Sequence, residues 1–215
     1  VLLSVASAIL SEFLMEKALR RPVTIDDGSA AVTGLLLALT LPAGTPWYVP
    51  VLGSVFAICI AKQVFGGLGD NFVNPALAGR AFLLASFPAA MTTYPLVADA
   101  VTSATPLSSE FAGSVDYLQA FIGRIGGCIG EVSTLLIGAA YLLIRRVIDW
   151  RIPLSYLGTM ALLTVIGGGN VLDSVLLGGT VLGAFFMATD YVTSPVTSWG
   201  RVIYGVGIGI INYTI

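Results

Sequence analysis

The run Gly66-Gly-Leu-Gly-Asp-Asn-Phe-Val-Asn-Pro75 decides how this chain folds. It interrupts an apolar sequence with glycines, with the polar side chains of Asp70, Asn71 and Asn74, and with a proline. Glycine enters backbone conformations closed to other residues. Pro75 suits the first position of a new helix, because its missing N–H is one that a helix start leaves unpaired. The run therefore predicts a helix that stops near Phe65 and another that opens at Pro75 and continues from Ala76 to about Phe87. At membrane depth such a break is tolerated only where protein or a cavity satisfies the freed amides. Broken helices are also where membrane proteins tend to build binding sites.

The composition places the break in a membrane. Hydrophobic residues make up 56% and charged residues 10% of the 215 residues, and mean hydropathy is +0.93. That leaves too little polar surface for a water-soluble domain of this length. The reading is an all-α, polytopic membrane protein of about eight transmembrane or broken helices. No histidine is present, which argues against a haem, His-ligated zinc or Ser-His mechanism. Cys59 and Cys128 lie in apolar runs and read as buried packing residues. Two thiols cannot complete an iron–sulfur centre that needs four. No metal site, catalytic acid/base pair or nucleic-acid surface stands out, and the formal net charge is −2.

Outward from Gly66, the chain reads as a series of apolar runs closed by charges. Val1 to Met15 forms a helix ending in Glu16-Lys-Ala-Leu-Arg-Arg21. Asp26-Asp-Gly-Ser29 caps a short run, Ala30 to Leu41, that Pro42 stops. Trp47 to Phe65 is a span with Lys62 near its far end. Leu118 to Ile144 is the longest apolar run, closed by Arg145, Arg146 and Arg151; Pro153 to Ile166, Val171 to Ala188 and Trp199 to Ile215 follow. The cations, Lys62 and Arg80 among them, gather at ends that the positive-inside rule assigns to the cytoplasm. The polar interval between Pro88 and Tyr117 then faces outward across the cytoplasmic membrane of a prokaryote. The termini fall inside apolar runs, so the full polypeptide is expected to extend further.

A repeat emerges from the same break. Asp70-Asn-Phe-Val-Asn-Pro75 with Gly79-Arg80 parallels Asp190-Tyr-Val-Thr-Ser-Pro195 with Gly200-Arg201. We read two helical repeats of the same orientation, residues 1–87 and 118–215, joined by an outer loop at 88–117.

That loop carries Asp99-Ala-Val-Thr-Ser-Ala-Thr105 followed by Pro106. Ser103 and Ala104 are small enough to let another protein's active site close on the Thr105 hydroxyl, and Pro106 discourages a helix through the site. The segment resembles the sequence that a bacterial flavin transferase modifies, Asp-x-x-Ser/Thr-Gly/Ser-Ala-Thr, whose last Thr receives FMN from FAD through a phosphoester. Asp99, Thr102, Ser103, Ala104 and Thr105 fill every position. An unmodified Ser/Thr-rich turn is the alternative reading of the residues alone.

Three separated stretches, Gly69 to Arg80, Asp99 to Leu107 and Phe186 to Pro195, resemble in order the RnfD/NqrB family. Its members are RnfD, of the Rnf ion-translocating ferredoxin:NAD oxidoreductase complex, and NqrB, of the sodium-pumping NADH:quinone oxidoreductase. Ser103 departs from the glycine often found there. The resemblance implies a membrane electron carrier with covalent FMN on Thr105, whose partners carry flavins and iron–sulfur centres and whose redox flow drives Na+ or H+ across the bilayer. It also implies maturation by a separate flavin transferase, and a noncovalent riboflavin for which no motif offers a place. Asp99 and Thr102 then serve recognition by the transferase.

Charged groups within spans are costly and usually face a partner or cavity. Glu131, inside the long apolar run, is weighed equally as an ion-pathway residue or a structural partner. Arg80 is a candidate flavin contact or a partner of Asp70. Glu12, Asp173, Asp190 and Arg124 read as span-end residues. The rival to the redox reading is a solute channel or transporter of similar scaffold, with Thr105 unmodified.

Overall fold

The computed structural model describes residues 1–95, 102–103, 128, 130, 134–176 and 179–214. The chain divides into two compact units, Val1–Tyr94 and Pro95–Ile215.

The first unit packs four helical segments around one another. They are α1 (Leu2–Ala18), α2 (Ser29–Leu39), α3 (Tyr48–Val55) and α4 (Pro75–Ser86). α3 continues without interruption into a π-helix, Phe56–Gln63. A 3₁₀ turn, Ile25–Asp27, leads into α2, where the Asp27 carboxylate accepts the Ser29 amide at 2.7 Å. The expected start at Asp26–Ser29 is therefore built, with Asp27 as the acceptor. A short helix, α5 (Pro88–Thr92), follows α4.

The burial pattern of α1 explains why the unit belongs in lipid. Its buried side chains are Ser4, Ala8, Ser11, Glu12 and Glu16, while Leu2, Leu3, Leu10 and Leu14 are exposed. Water would demand the reverse arrangement. In a bilayer, leucine facing outward costs nothing and helices associate through small and polar residues. Gly34 of α2 shows the close approach: a Cβ there would meet the Ser4 carbonyl at 2.8 Å and the Ala8 Cβ at 2.9 Å. Ser4 closes the contact by donating to the Gly34 carbonyl at 2.8 Å, and its hydroxyl lies 2.8 Å from that of Ser54. The apolar core of the unit, Leu37, Leu41, Val49, Ala76, Leu83 and Met91, sits among α2, α3, α4 and α5.

The two-residue strands β1 (Tyr94–Pro95) and β2 (Thr102–Ser103) pair with each other.

The second unit contains α6 (Thr134–Ile144), α7 (Arg151–Ile166), α8 (Val171–Leu176), α9 (Thr180–Leu182) and α10 (Ser198–Thr214). α9 passes into a second π-helix, Gly183–Met187. Tyr156, Met160 and Ala184 form its core. α7 and α10 pack closely, Gly205 and Gly209 of α10 being buried against α7. The run Val171–Ala188, expected as one span, is built from two helices, the second starting after Gly179.

No helix among the described residues is long and apolar enough to cross a membrane by itself. α1 and α10 come nearest in length at 17 residues each, about 26 Å of rise against a hydrocarbon core of ~30 Å.

Candidate functional site

The first break is built as the sequence implies. The Asn74 side chain accepts the amides of Ala76 at 3.0 Å and Leu77 at 3.2 Å, so it caps α4 while Pro75 takes the first helical position. Gly66 has φ +137°, and a Cβ there would run into the Asp70 side chain, which explains the glycine. Arg80 turns back to α2 and donates to the Thr40 carbonyl at 3.1 Å, one of the last carbonyls left open at that helix end. This contact, rather than a pairing with Asp70, holds Arg80 among the described residues.

The second break follows the same plan with different atoms. A π-helix precedes each break, Phe56–Gln63 before the first and Gly183–Met187 before the second. Asp190 accepts from the Val192 amide at 3.3 Å and from the Thr193 hydroxyl at 3.2 Å. Arg201, the counterpart of Arg80, donates to the Pro195 carbonyl at 3.0 Å and pairs with Asp149. Asp149 also accepts the Arg151 amide at 2.9 Å. Partial burial pushes its carboxyl up, but the Arg151 amide, the Arg201 bond and the two guanidinium charges outweigh this and hold it below the usual carboxylate range. The Tyr191 hydroxyl donates to the Val147 carbonyl. Of these groups, Val147, Asp149, Tyr191 and Arg201 line a cleft of about 610 Å³ that also presents Arg146 and Trp150.

A third polar centre lies inside the first unit, where the sequence reading placed only span-end charges. Lys62, 2% exposed, donates to Glu12, 0% exposed, at 2.5 Å. The same ammonium donates to the Ser29 hydroxyl at 2.6 Å, and the Gln63 amide donates to Glu12 Oε1 at 2.9 Å. One turn further along α1, Glu16 is buried and accepts the Thr24 amide at 3.1 Å and its hydroxyl at 2.5 Å. Lys62 is therefore no interfacial anchor, and Glu12 does not snorkel. The available signal was the spacing of Ser4, Ala8, Ser11, Glu12 and Glu16, which puts small and polar residues on one helical face.

Of the flavin-attachment segment, Thr102 and Ser103 form β2. Asp99, Ala104 and Thr105 lie outside the described residues, as do Glu131 and Arg124. No cluster of His, Cys, Asp or Glu that could hold a metal occurs among the described residues.

Helices packed through serine, glycine and carboxylates, with leucines turned outward and two capped breaks, define a helical membrane protein with polar centres inside it. The model of the NQR2, RnfD, RnfE family matches residues 1–215, and the chain belongs to that family. The D subunit of a Na(+)-translocating ferredoxin:NAD(+) oxidoreductase complex from Acetobacterium woodii is 50% identical over 225 residues, covering 100% of this chain and 71% of the relative. The D subunit of a proton-translocating ferredoxin:NAD(+) oxidoreductase complex from Clostridium ljungdahlii is 41% identical over 237 residues, covering 99% and 72%. The D subunit of an ion-translocating oxidoreductase complex from Stutzerimonas stutzeri is 38% identical over 264 residues, covering 100% and 74%.

Proposed function

We propose that this chain is the flavin-carrying membrane subunit of an ion-translocating ferredoxin:NAD oxidoreductase complex, with FMN joined to Thr105 by a phosphoester. The observation that carries the reading is the complete set Asp99, Thr102, Ser103, Ala104 and Thr105 in a chain whose relatives are named as the D subunits of such complexes.

The residues present suit the group. A threonine hydroxyl is the oxygen that a phosphoester needs. The backbone at Thr102–Ser103 is extended rather than helical, which favours capture of the segment by a transferase. The bound flavin supplies one-electron and two-electron exchange. Thr105 supplies retention: a tether raises effective concentration to about millimolar or more without any new contact. Because the attachment is through phosphate, the ring's potential is left to stacking, hydrogen bonds and nearby charge. Asp99 and Thr102 act before that, as recognition residues for the flavin transferase.

The wider reading follows from the same proposal. The Thr105 loop faces the outer side of the cytoplasmic membrane, with Arg20, Arg21, Arg145, Arg146 and Arg151 inward. Partner subunits bring the flavins and iron–sulfur centres with which it exchanges electrons, and the two helical repeats have like orientation. A noncovalent riboflavin belongs to the reading without an assigned residue.

The test is Thr105→Ala in the assembled complex. Ferredoxin-dependent NAD reduction is expected to fall to background while the variant still co-purifies with its partners. Unchanged reduction would show that the hydroxyl carries no electron-transferring group.

A further inference from the structure

We propose that the cleft of the second unit binds an anionic phospholipid, with Arg146 holding the phosphodiester of the headgroup and the apolar walls receiving the start of the acyl chains. The proposal needs no flavin. It needs only that the end of α6 and the start of α7 lie at a membrane surface, as the cluster Arg145, Arg146 and Arg151 implies.

Charge is the first observation. Arg151 and Arg201 both pair with Asp149, whereas Arg146, which lines the same cleft, forms no salt bridge among the described residues. Three guanidinium groups thus meet one carboxylate, and the excess is positive. The carboxylate of Asp190 is turned into its own break, where it accepts the Val192 amide and the Thr193 hydroxyl. A phosphodiester is an anion with two free oxygens, which suits the planar fork of an arginine.

The backbone is the second observation. At the end of α6 the Arg146 amide donates to the Leu143 carbonyl at 3.0 Å and the Val147 amide to the Leu142 carbonyl at 2.9 Å. This is the closing turn whose left-handed position glycine usually takes. Here Arg146 takes it, with φ +53°, at a cost that glycine would not carry. A cost of that kind is accounted for when the side chain has to stand where the turn puts it, and Arg146 is exposed.

The walls are the third. The volume of about 610 Å³ falls within the ~300–1,000 Å³ usual for small-molecule sites. Leu143, Val147, Ile148 and Ile152 line it beside the arginines. Trp150, also in the lining and exposed, carries the Arg151 guanidinium 5.6 Å from its ring centroid; tryptophan and arginine together mark the level of the headgroups. A free phosphate ion would use Arg146 and leave the apolar walls without an occupant, whereas an anionic lipid uses both. Basic pockets between membrane helices are a recurrent place for such headgroups.

The experiment uses the complete complex in mild detergent, freed of loosely held lipid. Retained lipid is extracted and counted by mass spectrometry, and phosphatidylglycerol is then added back while its binding is followed. Arg146→Gly removes the charge and relieves the turn, so the stripped variant is expected to melt no lower than the original. Arg146→Gln removes the charge and keeps the turn as it is. Both are expected to retain about one phosphatidylglycerol fewer per complex and to rebind it about five- to tenfold more weakly. Unchanged retention and rebinding in both variants would overturn the proposal. Equal rebinding of phosphatidylcholine by the unaltered complex would overturn it as well, since charge is then not read. Displacement of the retained lipid by inorganic phosphate would reduce the cleft to an anion site, and loss of a partner subunit from the Arg146→Gly complex with lipid content unchanged would assign it to protein docking; either result contradicts a lipid site. Absence of FMN from the unaltered protein would instead contradict the flavin reading and leave the lipid counts standing.

Discussion

At the scale of single residues, the chain spends its few charges where geometry can compensate them. Asp149 serves three donors in the second unit, the Arg151 amide, the Arg151 guanidinium and the Arg201 guanidinium. Its carboxyl is held below the usual range, so its contribution to stability is complete above the ordinary aspartate value of about 3.9 and lost as pH falls through the lower folded value. Asp149→Asn should lower stability at neutral pH by about 1 kcal/mol, since the site is partly exposed. It should also flatten the loss of stability on acidification, both read by thermal unfolding in detergent across pH. Glu12 and Lys62 obey a harsher rule. Replacing one partner of the buried pair with leucine should destabilise by about 3–5 kcal/mol, whereas replacing both should be close to neutral; the yield and melting of the single and double variants measure it.

The same residues show what was legible in the sequence. Pro75 announced the start of a helix because its effect on the backbone is local, and the structure builds that start with the Asn74 side chain as its cap. The pairing of Glu12 with Lys62 was not legible, because the partners are 50 positions apart and nothing in either neighbourhood names the other. The exposed leucines and buried serines of α1 were visible as a pattern, but their meaning depends on which solvent the helix faces. Thr105, Asp99, Ala104 and Glu131 rest on the sequence alone.

At the scale of elements, each unit leads a helix through a π segment into a break and restarts it with an arginine that reaches back to a carbonyl. The breaks could be read from Gly, Asp, Asn and Pro, and the parallel between them from their order. The π segments could not, because a shift from i+4 to i+5 hydrogen bonding has no residue signature, and Phe56–Gln63 reads as ordinary apolar helix. The division of the run Val171–Ala188 into two helices had a signal in Gly178-Gly179, outweighed by the apolar residues around it. Two element-scale changes test the packing. Asn74→Ala removes the cap of α4 and should cost about 1 kcal/mol. Gly34→Leu forces apart α1 and α2, which meet at van der Waals distance through Ser4 and Ala8, and should cost about 1–3 kcal/mol or more. Thermal unfolding of the detergent-solubilised protein reads both.

At the scale of the whole molecule, family membership and inside-out burial agree on a membrane protein. The electron-carrier account adds one covalent bond to that scaffold. Along the chain, the attachment segment falls between the helices of the first unit and those of the second. The sequence offers no glycine-rich phosphate cradle of the usual spacing for holding a flavin nucleotide without a bond. The most direct measurement is the intact mass of the protein purified from cells that express the flavin transferase, compared with Thr105→Ala. The account predicts a mass increased by one phosphoester-linked FMN, absent from the variant. An unmodified mass for both proteins, or an adduct that persists when Thr105 is alanine, would contradict it.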